Sequence, residues 1–291
     1  MDKLRAMEIF IRIADAGSLS GAARLLDVSV PMVVRDLARL ECYLNTRLIQ
    51  RSTRKLSLTE EGQHYLQACR RIVSEAHDAE ASLSARAIEA VGLLTITAPV
   101  MFGHMYVAPL VVRFTHRHPR VRCKLITDDR PLNLVEQGID LAIRIAHLND
   151  SSLVALPMTS TRAVIVASPK FLEENGIPNV PGELKSSKCV VHSRHFLWKF
   201  HERGSEMVVQ VNSHLEFTLL ASALEACANH AGFGIFYFYQ VQPYLNNNRL
   251  QIVLAEYEMP SVPINVVYPS GRSLATRTRA FIDFMKEEFE C

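Results

Sequence analysis

Residues 17–44, GSLSGAARLLDVSVPMVVRDLARLECYL, admit few folds. Ala22, Ala23, Leu25 and Leu26 predict a short helix capped by Ser18 or Ser20. Asp27-Val28 then turns the chain. Ser29 is a good N-cap for a second helix, and Pro31 fits its first turn, where a missing N–H loses no intrahelical bond. Val33, Leu37, Leu40 and Leu44 recur at +4, +3 and +4, giving that helix one buried stripe. Val30, Met32, Val34, Arg35 and Arg39 are left on its other face. Two helices joined by a tight turn, the second with a face to spare, make a helix-turn-helix.

The flanking residues extend this unit. Leu4, Met7, Phe10, Ile11 and Ala14 line one face of a helix over 4–14, which Gly17 ends. Residues 47–58, RLIQRSTRKLSL, suggest a short hairpin with a basic tip, Arg51 to Lys55. Thr59 can cap a further helix, with Glu60 and Glu61 at its positive end. That helix is expected to run to about residue 88. Its Tyr65, Cys69, Ile72, Ala76, Ala79 and Leu83 follow a heptad-type spacing whose alanines would admit a partner helix closely. The alternative is an ordinary helix packed on its own chain.

Charge decides what such a unit can touch. The 291 residues carry a net charge of only +2, a poor start for a nucleic-acid binder. Residues 1–58, however, hold ten basic and six acidic residues, a net +4, while the remainder is −2. A basic head on a slightly acidic body suggests a polyanion-binding module joined to something else.

Beyond Gly92 strands alternate with helices. Leu93–Thr97, Val121–Ile126, Leu141–Ile145, Val164–Ala167 and Ile264–Tyr268 read as buried strands. Helical patterns run near 104–117, 131–137, 169–175, 215–230 and 273–289. Such alternation argues for α/β sheets with a ligand cleft at strand C-termini. No repeat of solenoid period is present in the sequence.

The six cysteines form no C-x-x-C pair and read as reduced thiols of a cytoplasmic protein. Glu8 and Arg12 interrupt any signal-peptide apolar run. Residues 90–112 lack Asp, Glu, Lys and Arg, but Pro99, Gly103, His104 and Pro109 favour a buried strand, loop and helix over a membrane span.

One ordered set of residues goes further. Gly17-Ser18-Leu19-Ser20, Ala22-Ala23, Leu25, Val28-Ser29, Arg35, Leu37, Leu40-Glu41, Leu44, Leu48, Arg51, Arg54, Leu58-Thr59 and Gly62 together resemble the LysR-type transcriptional regulators. Asp140-Leu141-Ala142-Ile143-Arg144, Asp150-Ser151-Ser152-Leu153, Ala167-Ser168-Pro169, Trp198 and Phe281-Ile282-Asp283-Phe284 carry the resemblance through the chain, towards the subgroup around the CrgA and AphB regulators. It implies an α/β protein: an N-terminal winged helix-turn-helix, a long linker helix, and a periplasmic-binding-protein-like effector domain of two α/β subdomains. The division then expected is 1–59 for DNA, 60–90 for the dimerising linker, and 91–291 for effector, with 91–162 and 267–291 in one subdomain and 163–266 in the other. The implied assembly is a homodimer through the linker, grown to a homotetramer, on double-stranded promoter DNA, with a small-molecule co-inducer and no other cofactor.

The expected DNA-reading residues are Ser29, Val30, Pro31, Met32, Val34 and Arg35, with Arg51 and Arg54 on the wing. Val30 stands where the family commonly has Gln, and Val34 where it usually has a polar residue. Readout would shift towards thymine methyls and DNA shape. For the effector, the resemblance points to the end of the first strand and the start of its helix, Thr97, Pro99, Val100 and Met101, with Asp128, Arg144, His195 and Thr218 as further walls. Helix N–H groups there suit a carboxylate, and apolar Ala98 and Val100 disfavour a sugar.

Three rival readings are weaker. Gly17-Ser18-Leu19-Ser20-Gly21 has the wrong spacing and context for a nucleophile elbow, and Gly232-Phe233-Gly234 lacks a dinucleotide loop's third glycine, so neither supports an enzyme. His192 with His195, and His116 with His118, lack an obvious third metal ligand. An exported solute-binding protein would need a signal sequence and no DNA-reading head. Redox sensing through Cys69 or Cys227 competes with their simpler role as small apolar residues.

Overall fold

The structure is a computed structural model that describes residues 2–51, 56–83, 89–148, 153–202, 204–270 and 274–289. Three helices open it: α1 (Lys3–Ala16), α2 (Leu19–Leu26) and α3 (Val30–Leu44). Gly17, at φ 62°, ends α1 in the left-handed region. Ser18, rather than Ser20, caps α2, its hydroxyl accepting from Gly21 N–H at 3.0 Å. Ser29 holds the N-cap position of α3 as expected, though it makes no side-chain cap bond. The reason is local: Pro31 has no N–H to offer, and Met32 N–H bonds the Ser29 carbonyl instead. Asn45 ends α3 with φ 50°, a conformation asparagine tolerates.

Phe10 and Ile13 of α1, Ala22 and Ala23 of α2, and Val33, Leu37 and Leu40 of α3 bury against one another. A two-stranded hairpin, β1 (Ile49–Arg51) and β2 (Leu56–Leu58), closes this core with Leu48 and Ile49, and its tip, 52–55, lies outside the described residues. Thr59 then caps α4 (Glu60–Leu83) by accepting from Gly62 N–H at 2.9 Å. Gly62 is required: a Cβ there would lie 2.0 Å from the Leu48 carbonyl oxygen. Leu66, Cys69 and Val73 of α4 are buried, and Arg70 pairs with Asp15 of α1. The first turns of the expected dimer seam are therefore spent on the chain's own head. Ile72 stays exposed, and Ala79 and Leu83 lie outside the described side chains.

Two lobes follow. The first is a five-stranded sheet of order β4-β3-β5-β14-β6, built from β3 (Gly92–Ala98), β4 (Val121–Thr127), β5 (Leu141–Ile145), β6 (Leu153–Thr161) and β14 (Val262–Pro269). Between β3 and β4 run α5 (Val100–Phe102), a π-helical turn (Gly103–Val107) and α6 (Ala108–Arg117). Gly103 lets this helix lie on the sheet, since a Cβ would come 2.6 Å from Thr127 Cγ2. The last helix, α10 (Thr276–Phe289), covers this lobe with Phe281, Ile282 and Met285. Its buried Arg277 reaches Asp140 at 3.3 Å, and Asp140 also accepts from Thr95 N–H at 2.7 Å.

The second lobe begins at β7 (Ala163–Ala167), which pairs antiparallel with both β12 (Gly234–Tyr237) and β13 (Gln251–Val253). Between β7 and β12 come α7 (Pro169–Asn175), β8 (Cys189–His192), the hairpin β9 (Leu197–Glu202) and β10 (Ser205–Gln210), β11 (Ser213–Phe217) and α8 (Leu220–Ala228). β11 pairs parallel with β8, and a parallel bridge between Cys189 and Phe233 ties β8 to the β12 end of the sheet. Helix α9 (Phe238–Asn246) lies between β12 and β13. Both lobes thus place three parallel strands beside one antiparallel strand and one edge strand.

Three expectations change here. Residues 131–137 hold turns and no helix: Asn133 Oδ1 accepts from the Val135 and Glu136 N–H groups, and the left-handed Gly138 ends the run after a single turn. The pattern over 215–230 begins as β11, and its helix starts only at Leu220. Residues 262–266, assigned by the expected division to the second subdomain, pair in the first sheet. Residues 90–112 form β3 and its helix, and no helix among the described residues is long and apolar enough to cross a membrane.

Gly62→Ala forces the wing and linker apart. It is expected to cost about 1–3 kcal/mol, read as a fall in the head's melting temperature.

Candidate nucleic-acid interface and ligand cleft

One side of α3 is buried, so the other must face outwards. Ser29, Val30, Pro31, Arg35 and Arg39 are exposed, and Val34 is half-buried beside them. Arg35 has no ion pair among the described residues, and Arg39 meets Asp36 only at 3.9 Å. Met32 departs from this group. It is half-buried and lines a recess of about 290 Å³ with Ile9, Leu26 and Val28. Arg51 is described only as a backbone position in β1, and Arg54 lies outside the described residues.

Glu41, which spacing alone did not single out as a site residue, fixes the hairpin to α3. One carboxylate oxygen accepts from Leu48 N–H at 2.8 Å and from Ile49 N–H at 3.1 Å. Charge-assisted bonds of this kind are stronger than neutral ones. They couple the position of β1 to α3. A lone acid on a helix face directly before a strand was the available signal.

In the first lobe the expected cleft residues converge. Thr97 lies at the end of β3, fully buried, its hydroxyl without a hydrogen-bond partner among the described residues. Pro99 precedes Val100 and Met101 at the start of the helix. Asp128 N–H donates to the Ala98 carbonyl at 3.0 Å, bringing the 128–130 loop alongside. Asp128 and Arg130 form a bidentate pair at 3.1 and 2.9 Å. Hydrogen bonds from Arg130 hold the Asp128 carboxyl down to about 2, so it stays ionised at any physiological pH. Arg144, half-buried, reaches the Arg130 carbonyl at 3.4 Å, and Asp128 feels its charge. Burial lowers the Arg144 pKa, and Asp128 opposes that shift.

Asp129 was missed by sequence reasoning. Its carboxylate accepts from Val100 N–H at 3.0 Å, at the helix end where an anionic ligand was expected. The signal was present as a second acid in the run Asp128-Asp129-Arg130.

His195 and Thr218 belong to the second lobe. They share one loop cluster: His195 N–H bonds the His192 carbonyl, and His192 Nε2 lies 3.1 Å from the Thr218 carbonyl. No hydrogen bond or ion pair among the described residues links this cluster to Thr97, Asp128 or Arg144. Met101 packs on the cores of both lobes, and Tyr237 and Tyr239 of the second lobe pack on the core of the first. Among the described residues no three His, Cys, Asp or Glu side chains lie together as a metal site. Burial raises the Cys69 thiol to about 11, and raises Cys227 further still, which suppresses the reactive thiolate.

Known proteins share this arrangement. Residues 4–63 match the bacterial regulatory helix-turn-helix protein, lysR family, and residues 88–290 match the LysR substrate binding domain. The HTH-type transcriptional repressor PA14_22550 of Pseudomonas aeruginosa is 30% identical over 99% of this chain and 93% of its own. The structure of CrgA, a LysR-type transcriptional regulator from Neisseria meningitidis, is 29% identical, with 99% of each chain covered and a TM-score of 0.64. A full-length AphB variant, known from its crystal structure, shares the fold, with a TM-score of 0.69 over 98% of each chain at 23% identity.

Glu41→Ala leaves two wing N–H groups without their acceptor. It is expected to cost about 2 kcal/mol in thermal melts, with Glu41→Gln, which keeps an acceptor oxygen, falling between it and the parent.

Proposed function

The chain belongs to the LysR-type transcriptional regulators, DNA-binding proteins with an effector-binding domain and not enzymes, and from that premise we propose that it reads promoter DNA through α3 and answers to a small molecule held between its lobes. The observation that carries the first half is the outward edge of α3, where Arg35 stands exposed beside Ser29, Val30 and Pro31. An exposed helix of this kind fits the major groove. Arg35 would bond a guanine edge or a phosphate. Val30 and Val34 would touch thymine methyls, and Met32, turned towards its recess, would contribute least. Arg51 and Arg54 would add salt-sensitive contacts from the wing.

Two copies would pair through the later turns of α4, at Ala76, Ala79 and Leu83, because its first turns serve the head. That homodimer would present the basic head twice, and a homotetramer would double it again. The protein would work in the cytoplasm, where its DNA lies.

The effector would sit against Thr97, Pro99, Val100 and Met101, with Asp128 and Arg144 at one side and His195 and Thr218 closing from the second lobe. The Asp129 carboxylate sharpens what that effector can be. It already occupies the Val100 N–H. A carboxylate ligand would have to displace it, whereas an uncharged acceptor would meet less repulsion.

Arg35→Ala is expected to weaken binding to the protein's own upstream DNA by about tenfold and to lower the salt slope by about one. Fluorescence anisotropy across salt concentrations measures both. Asp129→Asn is expected to raise the thermal-shift response to small carboxylates relative to their amides, and an unchanged ratio would remove Asp129 from the site.

A further inference from the structure

The hairpin of β9 and β10 is a two-stranded sheet on the second lobe. Its register runs unbroken from Ser205 opposite Glu202 to Gln210 opposite Leu197. One face is anchored: Trp198, Phe200 and Val209 are buried in the core of that lobe, and Trp198 Nε1 donates to the His195 carbonyl at 3.0 Å. On the other face Leu197, Lys199, Glu206, Val208 and Gln210 are exposed.

The phase of its hydrogen bonds leaves β10 with a free edge. Val211 N–H donates to the Phe196 carbonyl at 2.9 Å, so these two continue the hairpin register as a bonded pair. Bonded pairs alternate along an antiparallel ladder, so Val209 and Met207 also turn their backbone groups towards β9. Glu206, Val208 and Gln210 turn theirs outwards. Among the described residues no other strand pairs with β10, and no backbone hydrogen bond joins those three to another segment. Natural sheets blunt such edges with proline, bulges or inward charges. β10 has no proline and no register shift, and its one charge, Glu206, is met by Lys199 Nζ at 2.8 Å.

We propose that this edge pairs antiparallel with the same edge of a second copy, about a two-fold axis at Val208, joining two hairpins into one continuous sheet. The residues select that register. With Val208 opposite Val208, Glu206 lies opposite Gln210 on both sides of the axis, and each outward residue exchanges its backbone bonds with its opposite. The Gln210 amide can donate to the facing Glu206 carboxylate. Centring the pair on Glu206 would set two carboxylates face to face, and centring it on Gln210 would run Glu206 past the end of the partner strand. Such cross-strand terms decide register. The contact uses neither α3 nor α4, so it adds to a linker pairing and needs no DNA. Its consequence rests on the homotetramer proposed above: two copies already joined by α4 offer two edges, and avidity multiplies a contact that is weak alone.

The test is disulfide trapping in the purified full chain. Opposite residues of a bonded antiparallel pair lie about 5.5 Å apart at Cα, within disulfide reach. Val208→Cys, oxidised with diamide, should give a covalent dimer, and peptide mapping should show residue 208 joined to residue 208. Lys199→Cys, exposed on the same face but about 14 Å from its copy across the intervening strands, should cross-link no more than the parent, whose own cysteines set the background. Gln210→Glu, added to Val208→Cys, sets like charges opposite each other twice and should cut the dimer yield about fivefold or more at an unchanged melting temperature. Adding Glu206→Gln as well should restore it. The proposal is overturned if Val208→Cys cross-links no more than the parent, if residue 208 joins a native cysteine instead, or if Gln210→Glu leaves the yield unchanged. Sedimentation separates the contact from the homotetramer reading. A parent tetramer that Gln210→Glu reduces to a dimer supports the contact, and one that stays a tetramer overturns it while the homotetramer stands. A parent that is only a dimer, with residue 208 still joined to its copy, keeps the contact and removes the homotetramer.

Discussion

The antiparallel pairing of β6 with β14 holds the sensing half of the molecule together. It runs from Thr161 opposite Val262 to Leu153 opposite Pro269. One strand leaves the first lobe and the other re-enters it, so the two crossings between lobes lie side by side. Backbone hydrogen bonds fix their spacing, and the rest of each lobe is built outwards from that pair. Because the lobes are joined through these neighbouring crossings and residues packed beside them, a small molecule that touches both sides acts on their geometry directly.

The head rests on a different constraint. Its helices are short, so the stripe of Val33, Leu37 and Leu40 must be buried for α3 to persist at all. Burying that stripe determines the opposite edge, and Ser29, Val30 and Arg35 are exposed as a consequence. Glu41 transmits this orientation to the wing, and Gly62 lets the wing sit against the linker helix without a clash. The positive charge of residues 1–58 is therefore displayed on a rigid frame. The near-neutral sum for the whole chain conceals this, because residues 59–90 carry six acids against three bases.

What the sequence made legible follows from how local each signal is. The stripe on α3 and the continuous apolar runs of β3, β5 and β7 need only their own residues, and each lies where the periodicity predicts. Ser29 stands at the N-cap as its type predicts, but its hydroxyl makes no cap bond, because Pro31 has no N–H to offer. The helix expected at 131–137 failed because the stretch between the Asn133 turn and the left-handed Gly138 holds only a single turn. The heptad spacing on α4 was real, but spacing does not say which partner covers it, and the head covers Leu66 and Cys69. The likeness of the two lobes left no repeat in the sequence, because it lies in strand order. Asp129 was invisible as a cap for the same reason: it lies far from Val100 in sequence, and only the β3–β4 pairing brings them together.

The central claim is that a small head contacts DNA while the two lobes stay clear of it. Hydrogen exchange on the full chain, with and without its own upstream DNA, tests this most directly. The account predicts slowed exchange over residues 18–58, centred on α3 and the wing, with the strands of both lobes unchanged. Protection spread over the faces of β3 to β14, with α3 unaffected, would contradict it.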